Sequence, residues 1–187
     1  TDNDLGIIVL NENLEKKRII ETEKGLRPHG ITLINDDIIA VGCTFDDSVI
    51  LIDRNKGNQI SRLGISERKI KLNSPQHHLN DIWSANGEIY ASMFSVSGQW
   101  KQGIFDGTVV SFGKDFLRSS VGKFNKILTD LRMPHNYQKH HNEELVCNSL
   151  EGQIINSNKD VLFQSNGFVR GLYVTKENFI VGESRNR

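Results

Sequence analysis

Long apolar runs are missing from this sequence. The longest, such as residues 6–10, are strand-sized, far short of the roughly 20 residues that a bilayer-spanning helix needs. An excess of either charge is missing too. Lys and Arg number 23, Asp and Glu number 23, and the formal net charge is zero, so there is no basic footprint for nucleic acid and no bias toward anionic membranes. Cysteine is scarce: Cys43 and Cys147 are the only two, and no Asn-X-Ser/Thr acceptor occurs. Two thiols make no disulfide framework, which favours a reducing interior. With no targeting segment in view the expectation is cytoplasmic, although a chain that opens on Thr1 leaves a trimmed N-terminus open. Sustained 3.6-residue periodicity, a phosphate-binding glycine loop and a Gly-X-Ser-X-Gly nucleophile elbow are all absent.

What remains is β-sheet material. The chain has 187 residues, 37% hydrophobic and 25% charged, enough for one folded domain with a core. Short runs of Ile, Val, Leu, Phe and Tyr alternate with clusters of Asn, Asp, Gly, Ser and Lys. Residues 31–34, 38–41, 49–52 and 59–63 read as four successive strands. Asn35-Asp36-Asp37 forms the first turn and Lys56-Gly57-Asn58 the third. The pattern recurs at 79–84, 88–92, 108–112 and about 122–128, with Asn86-Gly87 as its first turn, and again at 136–140, 144–148, 153–156 and 161–164. Residues 170–174 and 178–182 begin another copy, and 6–10 and 17–20 resemble the last two strands of an earlier one.

The copies open alike: Arg27-Pro28-His29-Gly30, His77-His78-Leu79-Asn80-Asp81, Met133-Pro134-His135-Asn136 and Val169-Arg170-Gly171. Their markers His29, His78, His135 and Arg170 lie 49, 57 and 35 residues apart. Four strands per unit of about 40–50 residues is the pattern of a β-propeller. A sandwich accounts for the strands but not for the recurring openings. The expectation is therefore an all-β propeller: one domain over 1–187 with three complete four-stranded blades and two half-blades, read as a fragment of a larger ring truncated at both ends.

In a propeller the first strand of each blade lines the channel, and the second runs back beside it. The start of the first and the end of the second thus reach one mouth. Strand starts supply His29, His78, Asn80, Asp81, His135, Asn136 and Arg170. Second-strand ends supply Cys43, Thr44, Ser92, Ser95, Asn148, Ser149, Glu183, Ser184 and Arg185. Of these, His29, His78, Asn80, Asp81, His135, Asn148, Arg170, Glu183 and Arg185 are the expected ligand-binding set. Three histidines at equivalent repeat positions are candidate ligands for a divalent metal, and Arg170 and Arg185 suit an anionic sugar or phosphate. Against this stands a plainer role for each group as a tie between blades, with Glu183 the expected partner of Arg170. Cys43 and Cys147 read as packing thiols, Trp83 as core, and His140 and His141 as a solvated pair beside Asn142. Trp100 lies in an insertion over 94–105 that is expected to overhang the mouth as a lid.

The ordered pieces Pro28-His29-Gly30, His77-His78-Leu79-Asn80-Asp81, Pro134-His135, Asn148-Ser149 with Gly152, Arg170-Gly171-Leu172 and Val181-Gly182-Glu183-Ser184-Arg185 resemble a bacterial propeller family catalogued as domain of unknown function 4915. Where that family carries a Trp-rich strand after the third opening, this chain has Leu145-Val146-Cys147. The resemblance implies the fold and the mouth, and no reaction. Asn80-Asp81 more loosely resembles the gluconolactonase and regucalcin-type propellers, which hold calcium with oxygen ligands; imidazoles at the mouth do not suit that ion. Three functions remain open: a binder of a small polar or anionic, carbohydrate-related molecule, a metal- or His/carboxylate-dependent lyase or hydrolase, and a scaffold for a protein partner.

Overall fold

The computed structural model describes residues 6–23, 26–66, 75–113, 121, 123–140 and 143–185. Among these the regular structure is β throughout, apart from two single turns of 3₁₀ helix at Trp100–Gln102 and Ser149–Glu151. Strands β1 (Ile7–Leu10) and β2 (Lys16–Ile20) form a two-stranded sheet. Three four-stranded antiparallel meanders follow: β3 (Pro28–Leu33) to β6 (Gln59–Gly64) through β4 (Ile38–Cys43) and β5 (Ser48–Asp53); β7 (Leu79–Ala85) to β10 (Asn125–Leu131) through β8 (Glu88–Met93) and β9 (Gly107–Ser111); and β11 (Pro134–His140) to β14 (Val161–Gln164) through β12 (Glu143–Asn148) and β13 (Gln153–Asn156). A final pair, β15 (Phe168–Val174) and β16 (Phe179–Ser184), makes a second two-stranded sheet. Gly122, where β10 was expected to begin, lies outside the described residues. At its other end β10 continues past Leu128 to Leu131, because pairing with β9 resumes at Leu131–Gly107 after a bulge.

The turns follow from local chemistry. Asn35 Oδ1 accepts from the N–H groups of Asp37 and Ile38, each at 2.9 Å, and so closes the β3–β4 hairpin. Asp53 Oδ1 does the same for Asn55 and Lys56. Asn86 and Gly87 carry φ of 53° and 76°, the paired left-handed residues of a tight hairpin turn.

The middle strands are buried on both faces, and successive side chains serve opposite neighbours. In β4, Ala40 packs with Leu79, Ile82 and Met93 of the next sheet, whereas Ile39, Val41 and Cys43 pack with Ile20 of the preceding one. In β12, Val146 joins Tyr90 and Tyr137, while Leu145 and Cys147 join Val169 and Leu172. The apolar core is therefore a series of layers between sheets. The first strands β3, β7, β11 and β15 lie side by side in succession. At Gly30 of β3 the approach is so close that a Cβ would stand 2.5 Å from Asp81 Oδ1 and 2.7 Å from the Ile82 nitrogen. Only glycine fits there.

Candidate functional site

Three of the four openings can be placed in one frame by backbone conformation. Arg27, His78 and Met133 hold φ of 49°, 54° and 49°, and each immediately precedes the first residue of β3, β7 or β11. Pro28, Leu79 and Pro134 then pair with Cys43, Met93 and Asn148. His29 is thus equivalent to Asn80 and His135, and His78 stands two residues earlier in the repeat. The three histidines do not occupy equivalent positions, contrary to the expectation from spacing. They also form no metal shell: among the described residues no group of three His, Cys, Asp or Glu is arranged to hold an ion.

Several expected site residues are taken up as ties. Asn80 is fully buried; its Nδ2 donates to Pro134 O at 2.7 Å and its Oδ1 accepts from Ser92 Oγ. Asp81 accepts from the backbone N–H of Ile82 and, across to the next sheet, of Asn136, both at 3.0 Å. Desolvation raises the Asp81 pKa, and those bonds together with His29 pull it back. Asn148 accepts from Arg132 N–H at 2.7 Å and donates to Gln153, so it organises its own turn. Asp47, which no sequence motif marks, is the strongest tie. It is fully buried and accepts from the N–H groups of Gln76, His77 and Leu79 at 2.5, 2.9 and 3.1 Å. His77 is likewise used, with Nδ1 2.9 Å from Ser95 O and Nε2 3.0 Å from Ser66 Oγ.

The remaining groups converge. Trp100, His78, Phe94, His135 and Phe168 form a continuous arc of rings across three sheets, with successive centroids 4.5, 4.2, 5.3 and 5.5 Å apart. Arg170 ends the arc, its guanidinium 4.9 Å from the Phe168 ring centre. His29 faces His135 at 6.3 Å. His135 Nδ1 lies 2.8 Å from Ser149 Oγ and 3.0 Å from Met133 O, and this joins a strand start to a second-strand end as propeller geometry requires. Burial is the main cause that lowers the pKa of His78 to about 4 and of His135 to about 3, and the neighbouring His29 and, for His135, Arg170 add to it. Both imidazoles are therefore neutral at pH 7. His78 Nδ1 is buried without a hydrogen-bond partner.

Arg170 is exposed and makes no ion pair among the described residues. Its expected partner Glu183 instead accepts from Ser165 Oγ, because Glu183 pairs with Val169 and not with Arg170 in the β15–β16 register. Glu183 and Arg185 line a different cleft with Asn166, Gly167 and Ser184, of about 400 Å³. Cys43 and Cys147 are buried free thiols, their pKa pushed up to about 12 by burial. Trp83 packs on Tyr90 and Tyr137, and His140 is half-buried; His141 and Asn142 lie outside the described residues. Sequence reasoning missed Phe94 and Phe168. Phe168 opens β15 two residues before Arg170, at the bulge between Val169 and Gly171, and Phe94 immediately follows the end of β8.

No family model matches the chain, so the resemblance to domain of unknown function 4915 finds no support, and no curated protein matches either. Solved propellers do match. The PQQ-bound aldose sugar dehydrogenase from Streptomyces coelicolor superposes with a TM-score of 0.63 at 14% identity, over 89% of this chain and 59% of that one. A protein assigned to the gluconolactonases gives 0.60 at 14% identity, over 87% and 58%. The calcium-binding regucalcin from Agrobacterium tumefaciens gives 0.55 at 13%, over 81% and 51%. This chain spans about half the length of these neighbours. Such likeness speaks to architecture alone, and the sheets described above are those of a β-propeller.

Proposed function

We propose that the ring-lined mouth binds a small anionic molecule related to a sugar acid. In this reading residues 1–187 form one propeller domain, with the four-stranded sheets as blades and the two-stranded sheets as half-blades. The observation that carries the proposal is Arg170: an exposed guanidinium, without a carboxylate partner among the described residues, over the ring of Phe168, which itself meets His135. A guanidinium carries its N–H donors in a planar fork, and that fork matches a carboxylate. The exposed His29 imidazole, which faces His135, adds a group able to hydrogen-bond hydroxyls. The neighbouring solved structures include sugar dehydrogenase and gluconolactonase propellers, in keeping with a carbohydrate-related ligand.

Binding is favoured over acid–base turnover because a general acid or base works best with a pKa near the working pH, and His78 and His135 sit well below it. Calorimetric titration with glucuronate and with neutral glucose tests the proposal. Glucuronate is expected to bind and glucose to bind much more weakly, with Arg170→Gln weakening glucuronate by roughly 10- to 100-fold, the worth of a charge-assisted hydrogen bond. Equal binding by Arg170→Gln and the unmodified chain, or no binding of any sugar acid, would overturn it.

A further inference from the structure

We infer that the two half-blades form an interface with a second copy of the chain, in which β15–β16 of one copy and β1–β2 of the other complete a four-stranded sheet. The inference rests on the half-blades of the reading above but on nothing of its ligand. Each pair carries the marks of a different half. β15–β16 has the register shift, between Val169 and Gly171, that β3–β4, β7–β8 and β11–β12 show near their openings, and Val181-Gly182 repeats Val41-Gly42. It is a first and second strand. β1–β2 is a third and fourth. Asn11 Oδ1 accepts from the N–H groups of Asn13 and Glu15 at 3.0 and 2.9 Å, and Leu14 holds φ of 63°. The β13–β14 turn is built the same way: Asn156 Oδ1 accepts from Asn158 and Asp160 at 3.0 and 2.9 Å, and Lys159 holds φ of 66°. Ile7, Val9 and Ile20 pack on β4 and β5 as Val49, Leu51 and Leu63 pack on β8 and β9.

Among the described strands β1 pairs only with β2 and β16 only with β15, so each keeps an open edge. The faces are open as well. In β7–β8 the cross-strand pair Trp83–Tyr90 packs on Tyr137 of the next sheet. Tyr173–Ile180 is the same pair in β15–β16, yet its side chains are 62% and 60% exposed. The counterpart of Tyr137, which follows Pro134 by three residues, is Ile31 after Pro28, and it is 53% exposed. There a cleft of about 620 Å³, with Ile8, Ile31 and Ile39 in its lining, opens between β1–β2 and β3–β4. That is where the first and second strands of the incomplete sheet belong. Pairing as in β4–β5, where Ile39, Ala40 and Val41 meet Ile52, Leu51 and Ile50, sets Phe179, Ile180 and Val181 against Leu10, Val9 and Ile8, apolar against apolar throughout. The two halves are not paired with each other within one chain, and a second copy offers the missing half at both junctions at once. Each copy carries strands for four sheets, so two copies joined head to tail at both junctions close a ring of about eight, within the roughly four to eight blades that propellers take. The chain spans about half the length of its propeller neighbours, and a second copy restores the rest.

Sedimentation velocity of the unmodified chain over a range of concentrations tests this, and a reversible dimer is expected. Ile8→Asp and Ile180→Asp, at side chains exposed in the separate chain, should each weaken it by about 10-fold or more with circular dichroism unchanged, because each sets a carboxylate in an apolar layer. Leu14→Asp, on the exposed β1–β2 turn, should leave the dimer intact. The double variant Leu10→Cys, Phe179→Cys should give a covalent dimer on a non-reducing gel after mild oxidation; Cys43 and Cys147 are buried and do not compete. In dilute solution the amides of β1 and β16 should exchange fast, and they should slow as the dimer forms. A monomer at every concentration, a cross-link within one chain, an open-ended ladder of oligomers, or a dimer that both aspartates leave intact would overturn the inference. Glucuronate binding by a chain that stays monomeric would remove the interface and leave the anion site standing.

Discussion

At the scale of single residues, the mouth separates ties from groups left facing solvent. His29 and His135 are equivalent in register, and Ser149, which meets His135, has Thr44 as its counterpart. His135 is buried and bonded to Ser149. His29 is exposed, and Thr44 Oγ1 is buried with no partner. One of two equivalent histidines is thus bonded within the fold and the other stands exposed. The spent histidines have a consequence for acid stability. Folding depresses the pKa of His78 and His135 from 6.5 to about 4 and about 3, so between those values and 6.5 the unfolded chain binds more protons. Stability then rises with pH through this window, is complete above pH 6.5, and is lost as the pH falls. Asp81, whose pKa burial raises, acts in the opposite sense from about its ordinary value of 3.8 upward. Melting temperatures followed by circular dichroism should be flat from pH 7 to 8 and should fall steadily from pH 6 to 4. In His135→Asn that fall should be shallower, and an unchanged slope would mean that the buried imidazole is not what titrates.

At the scale of elements, the loop before β7 shows what pattern reading reaches and what it does not. Asp47 holds that loop by three backbone N–H groups, and Asp47→Ala leaves those donors without their acceptor. The expected cost is about 2–4 kcal/mol in chemical unfolding, since each buried donor left unsatisfied costs about 1–3 kcal/mol and water recovers part of it. A cost below about 0.5 kcal/mol would show that the loop is held by other means. Nothing local distinguishes Asp47 from Asp46 beside it; only the position of β7, more than thirty residues away, gives it a role. The strands themselves were legible because their evidence is local: alternating apolar residues bounded by Asn35-Asp36-Asp37, Asn86-Gly87 or Lys56-Gly57-Asn58 decide a hairpin without any distant partner. Spacing also brought His29, His135, Arg170 and Trp100 to one end. It misplaced His78 by two residues because Asn80, and not a histidine, stands at the position that His29 and His135 hold in their repeats, and it left Arg170 with the wrong partner because the register of β15 with β16 is a pairing fact.

At the scale of the whole molecule, stability is distributed as contacts between neighbouring sheets. Each apolar layer joins two adjacent sheets: β3–β6 to β7–β10 through Leu51 and Met93, β7–β10 to β11–β14 through Tyr90 and Val146, and β11–β14 to β15 through Cys147 and Leu172. Such an array behaves approximately as a sum of nearest-neighbour interfaces. Strand β8 contributes Ile89, Ala91 and Met93 to one layer and Tyr90 to the next, whereas β16 brings only half-buried Val181 to one layer and leaves Phe179 and Ile180 exposed. Local opening should therefore be graded, with β8 amides the slowest to exchange and β16 amides among the fastest. Leu172→Ala, which removes a buried side chain from the layer under β15, would cost about 2–4 kcal/mol if the cost were spread over a cooperative unit. In a nearest-neighbour array that loss falls on one interface. Hydrogen exchange read by mass spectrometry should show faster exchange in β15 and β16 with β7, β8 and β9 unchanged. Uniform acceleration across all sheets would instead mean that the layers unfold as one unit and that Arg170, carried on β15, is held as firmly as the residues of β7.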